Sequence, residues 1–253
     1  MALIFMDLDG TSLDGGIPAK GVIESIKKLR ENNHIVAIAT GRSPAVLYNK
    51  HKELGIEYLV LANGSYVAHN EEIIYEKSFP NDVVKRLMEY TDKNNMDLVF
   101  EYIDAYVAYR KETEIVDLFS EIFNIEKPKV DNKFYPNRHI YAGIVFDHDK
   151  IKEMEELFPE LVFHLSNDYG YDVNLKGDLK AHGVKKLIQH LNYPLEDTYA
   201  IGDSHNDITM LKAVKHGIAM GNALNEVKEV AEYVTTNVDN FGIKNALEHY
   251  NLI

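Results

Sequence analysis

The stretch Leu3-Ile4-Phe5-Met6-Asp7-Leu8-Asp9-Gly10-Thr11 decides how this chain is organised. Its four leading apolar residues predict a strand that is buried on both faces, as strands are in a parallel sheet. Gly10 ends the strand, so Asp7 and Asp9 follow its carboxyl end, where open α/β sheets bind their ligands. Because residues two apart in a strand point the same way, both carboxylates can face one site.

The two acids favour a cation site, although the pair alone does not decide it. Neighbouring carboxylates repel each other and resist ionisation. A hard divalent cation such as Mg²⁺ relieves that repulsion, because it takes oxygen ligands. A carboxylate held in this way is a competent nucleophile toward phosphorus. Considered alone, Asp7 and Asp9 are explained equally well by a solvated acidic turn after the strand.

The composition of the whole chain excludes several classes of protein. With 253 residues, of which 45% are hydrophobic, the chain can form one large α/β domain or two smaller ones. The net charge of −13 argues against nucleic acid and anionic membranes as main partners. No apolar run reaches the roughly 18 residues of a transmembrane helix, and no signal peptide is visible. We therefore expect a cytoplasmic protein, and nothing in the sequence indicates its oligomeric state.

Strands and helices alternate at both ends of the chain, whereas the middle has a different pattern. Residues 1–79 and 180–253 show the rhythm of a doubly wound, mostly parallel Rossmann-like core sheet, which makes the fold class α/β. Residues 80–179 combine helices with strands that look antiparallel, and we interpret them as an inserted α+β cap domain. Tyrosines are frequent there, and half-buried packing explains them better than a binding pocket does.

Four segments outside the core strands carry more local predictions. Residues 12–18 contain two glycines and are expected to form a loop. A serine and a proline open the segment 43–54, which we expect to be one helix ended by the following glycine. Residues 112–123 are also expected to be helical. The sequence Asp147-His148-Asp149 has the look of a metal cluster, but its place between a strand and a helix favours helix capping.

Polar residues also follow the other predicted core strands. They are Thr40-Gly41-Arg42 after the second strand, Asn63-Gly64 after the third, and Asp203 after a later one, with Asn206 and Asp207 one turn further on. In a parallel sheet these strand ends meet at one rim. The sequence therefore predicts one site to which all of them contribute.

The acids at this rim suit a divalent cation. Asp7, the backbone carbonyl of Asp9 and Asp203 can offer oxygens to Mg²⁺, which takes one or two carboxylates together with phosphate and water. Asp207 can order a water molecule on that cation. Since the protein is strongly acidic, a bound cation would give it a local positive site for an anionic substrate.

Three other residues suit a phosphate group. Thr40 offers a hydroxyl and a backbone N–H, and Gly41 lets a phosphate oxygen approach its own N–H because it has no side chain. Lys180, which opens the helix that leads to the Asp203 strand, adds a positive charge.

Four motifs, taken in order, resemble the haloacid dehalogenase superfamily. They are DLDGT at 7–11, TGR at 40–42, Lys180, and GDSHND at 202–207. The form of the last motif, and an insertion of roughly 100 residues between the second and third, are similar to the Cof-type sugar-phosphatase branch, which has a large α/β cap of the C2B type. The resemblance covers the whole chain, and the four motifs together are highly specific, although each alone is weak.

The resemblance implies a role for each matching residue in phosphoryl transfer. Asp7 would be the nucleophile that forms an aspartyl-phosphate, and Asp9 would protonate the leaving oxygen and then activate water. Thr40 and Lys180 would hold the phosphoryl oxygens, and Asn206 would touch the phosphate. These roles agree with the need of phosphoryl transfer for in-line placement and charge neutralisation.

The resemblance also implies the metal ligands and leaves some positions open. Mg²⁺ would be held by Asp7, Asp9 and Asp203, with Asp207 in support. The family lysine usually precedes a glycine, as Lys176 does and Lys180 does not, but the position of Lys180 at the start of its helix favours it, and Lys176 fits the cap-to-core link. Gly41, Arg42 and Asn63 are further substrate-binding candidates. For Arg42 a surface ion pair is an equally good explanation, and Asn63 is similar to the Asn of an Asn-Gly turn in the family.

Three functions fit these observations, in falling order. The first is a Mg²⁺-dependent phosphatase acting on small phosphorylated metabolites, above all sugar phosphates. The second is a sugar phosphomutase of similar architecture, and the third is a non-catalytic protein, either a receiver-type switch that is phosphorylated on an Asp near Mg²⁺ or a phosphosugar-sensing module. Asp9 and the cap argue against the third, because a phosphorylated switch needs neither a general acid nor an inserted domain. The substrate should be selected by the cap, where Arg138, His139, Asn167 and Tyr169 are unranked candidates.

Overall fold

The computed structural model of the chain describes most of its residues and divides into two compact units. The described residues are 1–47, 49–70, 72–109, 117, 120–121, 127–133, 136, 138–147, 149–167, 170–177 and 179–253. The first unit comprises residues 1–41, 49–76 and 178–253, and the second comprises residues 42–48 and 77–177. The domain boundaries drawn from the sequence, 1–79 with 180–253 and 80–179, stay a prediction.

The first unit is built on one sheet of eight strands. In sheet order, with labels that follow the chain, the strands are Tyr233–Val234 (β16), His216–Ala219 (β15), Thr198–Gly202 (β14), Leu3–Met6 (β1), Ile35–Ala39 (β4), Tyr58–Leu61 (β5), Tyr66–His69 (β6) and Glu72–Glu76 (β7). The first six are parallel to one another, and β6 and β7 add an antiparallel edge. The predicted α/β fold with a mostly parallel core sheet is therefore confirmed.

The helices of the first unit follow its strands in the order expected of a doubly wound sheet. They are Val22–Glu31 (α1), Lys50–Leu54 (α3), Leu179–His190 (α6), Asp207–Leu211 (α7), Asn225–Val230 (α8) and Gly242–His249 (α9), with short 3₁₀ turns at Ala62–Gly64, Leu195–Asp197 and Val238–Asn240. None of the helices in the described part of the chain is long and apolar enough to span a membrane.

Strand β1 lies in the middle of this sheet, which explains its unbroken apolar sequence. All four of its residues are fully buried, and it pairs in parallel with β4 on one side and β14 on the other. Since neighbouring parallel strands end at the same edge, the residues that follow β1, β4 and β14 come together there. This edge is the rim that the sequence predicted.

Two local predictions in the first part of the chain are wrong. The expected loop at 12–18 contains a hairpin of two short strands, Leu13–Asp14 (β2) and Ile17–Pro18 (β3). Gly15 and Gly16 form its turn with φ of +56° and +82°, and two residues of positive φ are what a tight hairpin turn of this kind requires. The strands are too short to leave an alternating pattern in the sequence.

The segment 43–54 forms two helices rather than one. Pro44–Leu47 (α2) begins after Ser43, whose hydroxyl accepts a hydrogen bond from the Val46 N–H at 3.3 Å, so the predicted cap is confirmed. The carbonyl of Asn49 then accepts from two new N–H groups, of Lys52 and Glu53, which starts α3 afresh. The helical pattern of the sequence does not show this restart.

The second unit contains a six-stranded sheet that is antiparallel except at one edge. In sheet order its strands are Lys129–Val130 (β10), Tyr106–Ala108 (β9), Asp97–Glu101 (β8), Ala142–Phe146 (β11), Gly170–Leu175 (β13) and Leu161–Asn167 (β12). Besides α2, the helices whose full extent lies within the described residues of this unit are Asn81–Asn94 (α4) and Ile151–Leu157 (α5). This is the α+β composition expected of the insertion, whereas the helix expected at 112–123 lies mostly outside the described residues.

The core and the caps of the second unit follow ordinary packing rules. Val99, Ala108, Ile144 and Phe146 form a buried cluster against which Tyr106 packs, as expected of a tyrosine in a strand. Asp147 caps the turn ahead of α5, because its Oδ1 accepts hydrogen bonds from the N–H groups of Asp149 and Lys150 at 2.8 and 2.9 Å. Helix α5 itself begins after Lys150 without a side-chain cap, so Asp147 caps the turn before the helix and not the helix itself, while His148 lies outside the described residues.

Candidate active site

Three carboxylates converge where β1 and β14 end. The N–H of Asp7 donates to the Ile201 carbonyl at 2.9 Å, which carries the ladder between the two strands one residue beyond β1. Asp203 follows β14 directly, and Asp207 is the first residue of α7. One oxygen from each of the three carboxylates lies within 4.8 Å of the others. The fold therefore brings together residues that are almost 200 positions apart in the chain.

Lys180 lies among these carboxylates. It is only 2% exposed, and its Nζ donates to Asp7 Oδ1 at 2.6 Å and to Asp207 Oδ1. The first turn of α6 can place it there because the helix packs unusually close to the Ala62–Gly64 turn. A Cβ at Gly183, in the same helix, would lie 2.6 Å from the Cα of Gly64.

Asp207 is buried and stabilises the site through its hydrogen bonds. Its side chain is fully buried, and its Oδ2 accepts hydrogen bonds from the N–H groups of Asp203 and Ser204 at 2.9 and 3.0 Å. A Cβ at Gly202 would lie 2.5 Å from the Asp207 carboxyl carbon, so only glycine fits before Asp203. With Lys180 on its other oxygen, Asp207 fixes both the turn after β14 and the lysine.

Asp203 is held by two hydroxyl groups. Thr11 Oγ1, which is fully buried, donates to its Oδ1 at 2.8 Å, and Ser204 Oγ donates to its Oδ2 at 3.2 Å. Gly10 lies against the same carboxylate with φ +80°, and a Cβ there would come within 2.5 Å of Asp203 Oδ2. The DLDGT segment and the turn after β14 therefore pack directly against each other.

Burial makes the ionised carboxylates unfavourable in this arrangement. Burial first, and then the charge of Asp207, raise the pKa of Asp7 well above its ordinary value, although Lys180 opposes the shift. Burial likewise raises the pKa of Asp203 to about 6, against the opposing hydrogen bond from Thr11. Burial alone would lower the pKa of the Lys180 ammonium, but the charges of Asp207 and Asp7 raise it above its ordinary value.

The residues present fit a divalent cation. Three clustered carboxylates face a single buried ammonium, so the ionised site carries excess negative charge that a cation of charge +2 would balance. The three aspartates can coordinate a metal only through carboxylate oxygens, and oxygens are the ligands that hard cations such as Mg²⁺ take. Asp203 is partly exposed, which leaves it reachable, whereas the oxygens of Asp207 are committed to Lys180 and to backbone N–H groups.

The remaining phosphate-site candidates of the first unit lie at the same rim. One of them, Thr40, differs from the sequence prediction in how its N–H is used. Thr40 is buried directly after β4, but its N–H donates to the Val60 carbonyl at 2.9 Å within the sheet. The expected use of that N–H for phosphate is therefore wrong, and the prediction for Thr40 rests on its hydroxyl. Asn206 donates to Asn63 Oδ1 at 3.0 Å, and a Cβ on Gly41 would touch both side chains.

Asp9 differs from Asp7 in its surroundings. Its side chain is exposed while that of Asp7 is 5% exposed, so the two acids two residues apart have different access to water. Asp9 lies in a tight turn in which the Gly10 N–H donates to the Leu13 carbonyl at 2.9 Å and the Leu13 N–H donates to the Leu8 carbonyl at 2.7 Å.

Other candidates belong to the second unit, where their predicted roles stay predictions. Arg42 opens the 42–48 segment of that unit, and Lys176 is exposed just after β13. Arg138 donates to Asp104 at 2.9 Å and stacks over the Tyr102 ring, which is a structural role for this candidate. Tyr169 and the side chain of Asn167 lie outside the described residues.

The sequence profile of the haloacid dehalogenase-like hydrolases matches residues 4–247, a range that contains every residue of the rim described above. The chain belongs to this family. The resemblance of the four motifs to the haloacid dehalogenase superfamily is thereby confirmed.

Similar proteins include named phosphatases of this family. The Bacillus subtilis protein YkrA, provisionally named a phosphatase, is 34% identical over 255 residues, covering 99% of this chain and 98% of YkrA. A solved structure from Geobacillus kaustophilus HTA426 is 35% identical with a TM-score of 0.94, covering 100% of this chain and 99% of that one. BT4131, named a sugar phosphatase of haloacid dehalogenase subclass IIB, is 29% identical with a TM-score of 0.87 over 100% of both chains. The chain is thus a phosphatase of the haloacid dehalogenase superfamily.

The hydrolase site includes positioning groups that sequence reasoning did not assign. Thr11 and Ser204 both donate hydrogen bonds to Asp203, whereas the sequence motifs that contain them predict no role for either. The sequence holds a signal for both, since Ser204 directly follows Asp203 and Thr11 lies two residues after Asp9, each shortly after a predicted strand end. Thr40 is the opposite case, because its position after a strand predicts an N–H that is free for phosphate, whereas that N–H donates to the Val60 carbonyl within the sheet.

Proposed function

We propose that this phosphatase is Mg²⁺-dependent and hydrolyses small sugar phosphates through an aspartyl-phosphate on Asp7. The observation that carries the proposal is the buried cluster of Asp7, Asp203 and Asp207 around the Nζ of Lys180 at the carboxyl end of the central strand. A strand-end carboxylate beside a buried ammonium and two further acids suits the transfer of a doubly negative group, provided that a cation completes the charge balance.

The metal would be held by Asp7, the backbone carbonyl of Asp9 and Asp203, with Asp207 in a supporting position. Mg²⁺ bound there would neutralise the carboxylates and the phosphoryl oxygens of the substrate. Asp207 supports these ligands through the N–H groups of Asp203 and Ser204, which it holds at 2.9 and 3.0 Å. Lys180 remains paired with Asp7 and so keeps that carboxylate ionised and in place.

In the first step, Asp7 attacks the phosphorus and the bond to the sugar oxygen breaks. The Asp7 carboxylate gains the phosphoryl group, and the carboxyl of Asp9 gives its proton to the departing oxygen, so that a neutral sugar hydroxyl leaves. Lys180, the hydroxyl of Thr40, the N–H of Gly41 and the side chain of Asn206 would bind the phosphoryl oxygens. The exposure of Asp9 suits this role, because an acid that exchanges protons needs access to water.

In the second step, water cleaves the aspartyl-phosphate. The carboxylate of Asp9 takes a proton from the attacking water, the new oxygen bonds to phosphorus, and the bond to Asp7 breaks. Inorganic phosphate leaves, Asp7 is a carboxylate again, and Asp9 has regained the proton that it lost in the first step. Each turnover therefore consumes one water molecule and restores both acids.

Support for a small sugar phosphate comes from the likeness to BT4131 and from charge. The sugar phosphatase BT4131 matches this chain along its whole length, and a net charge of −13 disfavours long anionic substrates such as nucleic acid. A phosphomutase would use the same aspartyl-phosphate but return the phosphoryl group to a sugar, so the fate of the phosphate distinguishes the two. A cytoplasmic location belongs to the same proposal.

The experiment is phosphate release from a panel of sugar phosphates, polyol phosphates and nucleotides, with Mg²⁺ and with EDTA. We expect release of inorganic phosphate from one or a few sugar phosphates only when Mg²⁺ is present. Asp7→Asn should keep the fold and lower kcat by several orders of magnitude, because the amide is not a nucleophile. Full activity in a folded Asp7→Asn protein, or equal rates in EDTA, would refute the mechanism, and isomerised sugar phosphate without free phosphate would favour the mutase.

A further inference from the structure

Asn222 connects two loops beside the catalytic rim. It lies shortly after β15, and its side chain is exposed. Its Nδ2 donates to the carbonyl of Gly10 at 2.9 Å, and its Oδ1 accepts from the N–H of Val238 at 2.9 Å. Both polar atoms of the carboxamide are thus used in hydrogen bonds to the backbone of segments that are far apart in the chain.

The loop that carries Asn222 is itself firmly held. The N–H of Gly221 donates to the Thr236 carbonyl at 3.0 Å, and a Cβ at Gly221 would lie 2.4 Å from Asn237 Oδ1. Two residues after Asn222, the N–H of Leu224 donates to the Asp203 carbonyl at 3.1 Å. One loop therefore contacts the backbone of both segments proposed to bind the metal.

The hydrogen bond from Asn222 restrains the backbone at Gly10, a position of high conformational freedom. Glycine has wide backbone freedom, and Gly10 uses it, since its φ is +80°. Its N–H is held by the Leu13 carbonyl at 2.9 Å, and Asn222 holds the next peptide group. Because the peptide unit is planar and trans, fixing the Gly10 N–H also fixes the direction of the Asp9 carbonyl, which points the opposite way.

We propose that Asn222 is a positioning residue that keeps the Asp9–Gly10 turn in the conformation that binds the divalent cation. This inference rests on the proposed function, because it takes the Asp9 carbonyl as a metal ligand. Asn222 does not reach the metal or the substrate in this account. It acts by preventing rotation of the peptide groups on either side of Gly10. The Asp9 carbonyl then keeps its position relative to the carboxylates of Asp7 and Asp203.

The test measures metal binding directly, with Mn²⁺ alone as the probe. Metal-free wild-type protein, Asn222→Ala, and the control Asn225→Ala are titrated with Mn²⁺ and followed by electron paramagnetic resonance. We expect the Mn²⁺ dissociation constant to rise about tenfold in Asn222→Ala, a typical effect of removing a group that orients a metal ligand. Asn225 is exposed and three residues away, so its variant should bind as the wild type does.

A second variant separates the two hydrogen bonds of Asn222. Val238→Pro removes the N–H that bonds Asn222 Oδ1 and leaves the bond from Asn222 Nδ2 to Gly10 in place. It should be tolerated, because Val238 is the first residue of a short helix and the preceding Asn237 is extended. We expect it to raise the Mn²⁺ dissociation constant by less than about threefold, since the bond to Gly10 remains. In Asn222→Ala, saturating Mg²⁺ should restore the turnover of p-nitrophenyl phosphate, which a general loss of structure would not allow.

The outcomes distinguish this inference from the proposed function. If Asp203→Asn abolishes Mn²⁺ binding while Asn222→Ala binds like the wild type, Asn222 has no positioning role and the metal site stands. If the wild type itself does not bind Mn²⁺, the proposed function fails and this inference with it. Should Asn222→Ala not fold, Asn222→Ser, which is too short to reach Gly10, decides the question by the same titration.

Discussion

Replacing Asp203 by Asn should stabilise the metal-free protein, because the site holds more buried negative charge than it can balance. Burial and Asp207 raise the pKa of Asp203 from 3.8 to about 6. Two pKa units correspond to roughly 3 kcal/mol that opposes ionisation in the folded state at pH above 7. Since the carboxyl is partly exposed and the amide alters the bond to Ser204, we expect a gain of about 1–2 kcal/mol.

The pH dependence gives the prediction its sign. The carboxyl of Asp203 binds its proton more tightly in the folded than in the unfolded state. Its favourable contribution is therefore complete below pH 3.8 and is lost as the pH rises through about 6. The advantage of Asp203→Asn should be near zero at pH 4 and reach its full size at pH 7–8. Urea unfolding of both proteins in EDTA at several pH values measures it.

Mg²⁺ should reverse the order of stability. A cation that binds only the folded state adds stability that grows with its concentration, so excess Mg²⁺ should raise the unfolding free energy of the wild type and leave Asp203→Asn unchanged. Asp197→Asn, which alters an exposed carboxylate of the same unit, serves as the control and should change nothing under either condition. A metal-free Asp203→Asn protein that is less stable than the wild type at pH 8 would refute the reasoning.

Three further substitutions test single features of the site. Asp9→Asn should slow transfer from a sugar phosphate much more than from an aryl phosphate, which needs little protonation; equal slowing in single-turnover experiments would remove Asp9 as the acid. Lys180→Met leaves two buried carboxylates unpaired and should lower the unfolding free energy of the metal-free protein by about 3–5 kcal/mol at pH 8, whereas Lys176→Met, at an exposed lysine, should have little effect. Gly183→Ala should destabilise the protein by about 1–3 kcal/mol, because its Cβ would meet Gly64, and unchanged urea unfolding would show that the helix is not so closely packed.

The sequence determined most of the sheet and the identity of the rim residues. A buried parallel strand needs an unbroken apolar run, and the loop after it needs polar or small residues, so β1, β4 and β14 and the residues that follow them are marked by short, local patterns. Shorter elements leave no such mark. The hairpin at 13–18 and the restart of the helix at Lys50 depend on turn geometry and on neighbours that a periodicity does not contain.

Only the tertiary structure decided which rim residues form hydrogen bonds and ion pairs with one another. Lys180 and Asp207 form a buried pair across 27 positions, Thr11 holds Asp203 across 192, and Asn222 bonds Gly10 across 212. The sequence predicts that the Thr40 N–H can bind phosphate, but in the fold this N–H donates to the Val60 carbonyl of the neighbouring strand. The physical reason is that secondary structure follows from spacing along the chain, whereas a hydrogen bond or a pKa shift depends on distance and burial in space.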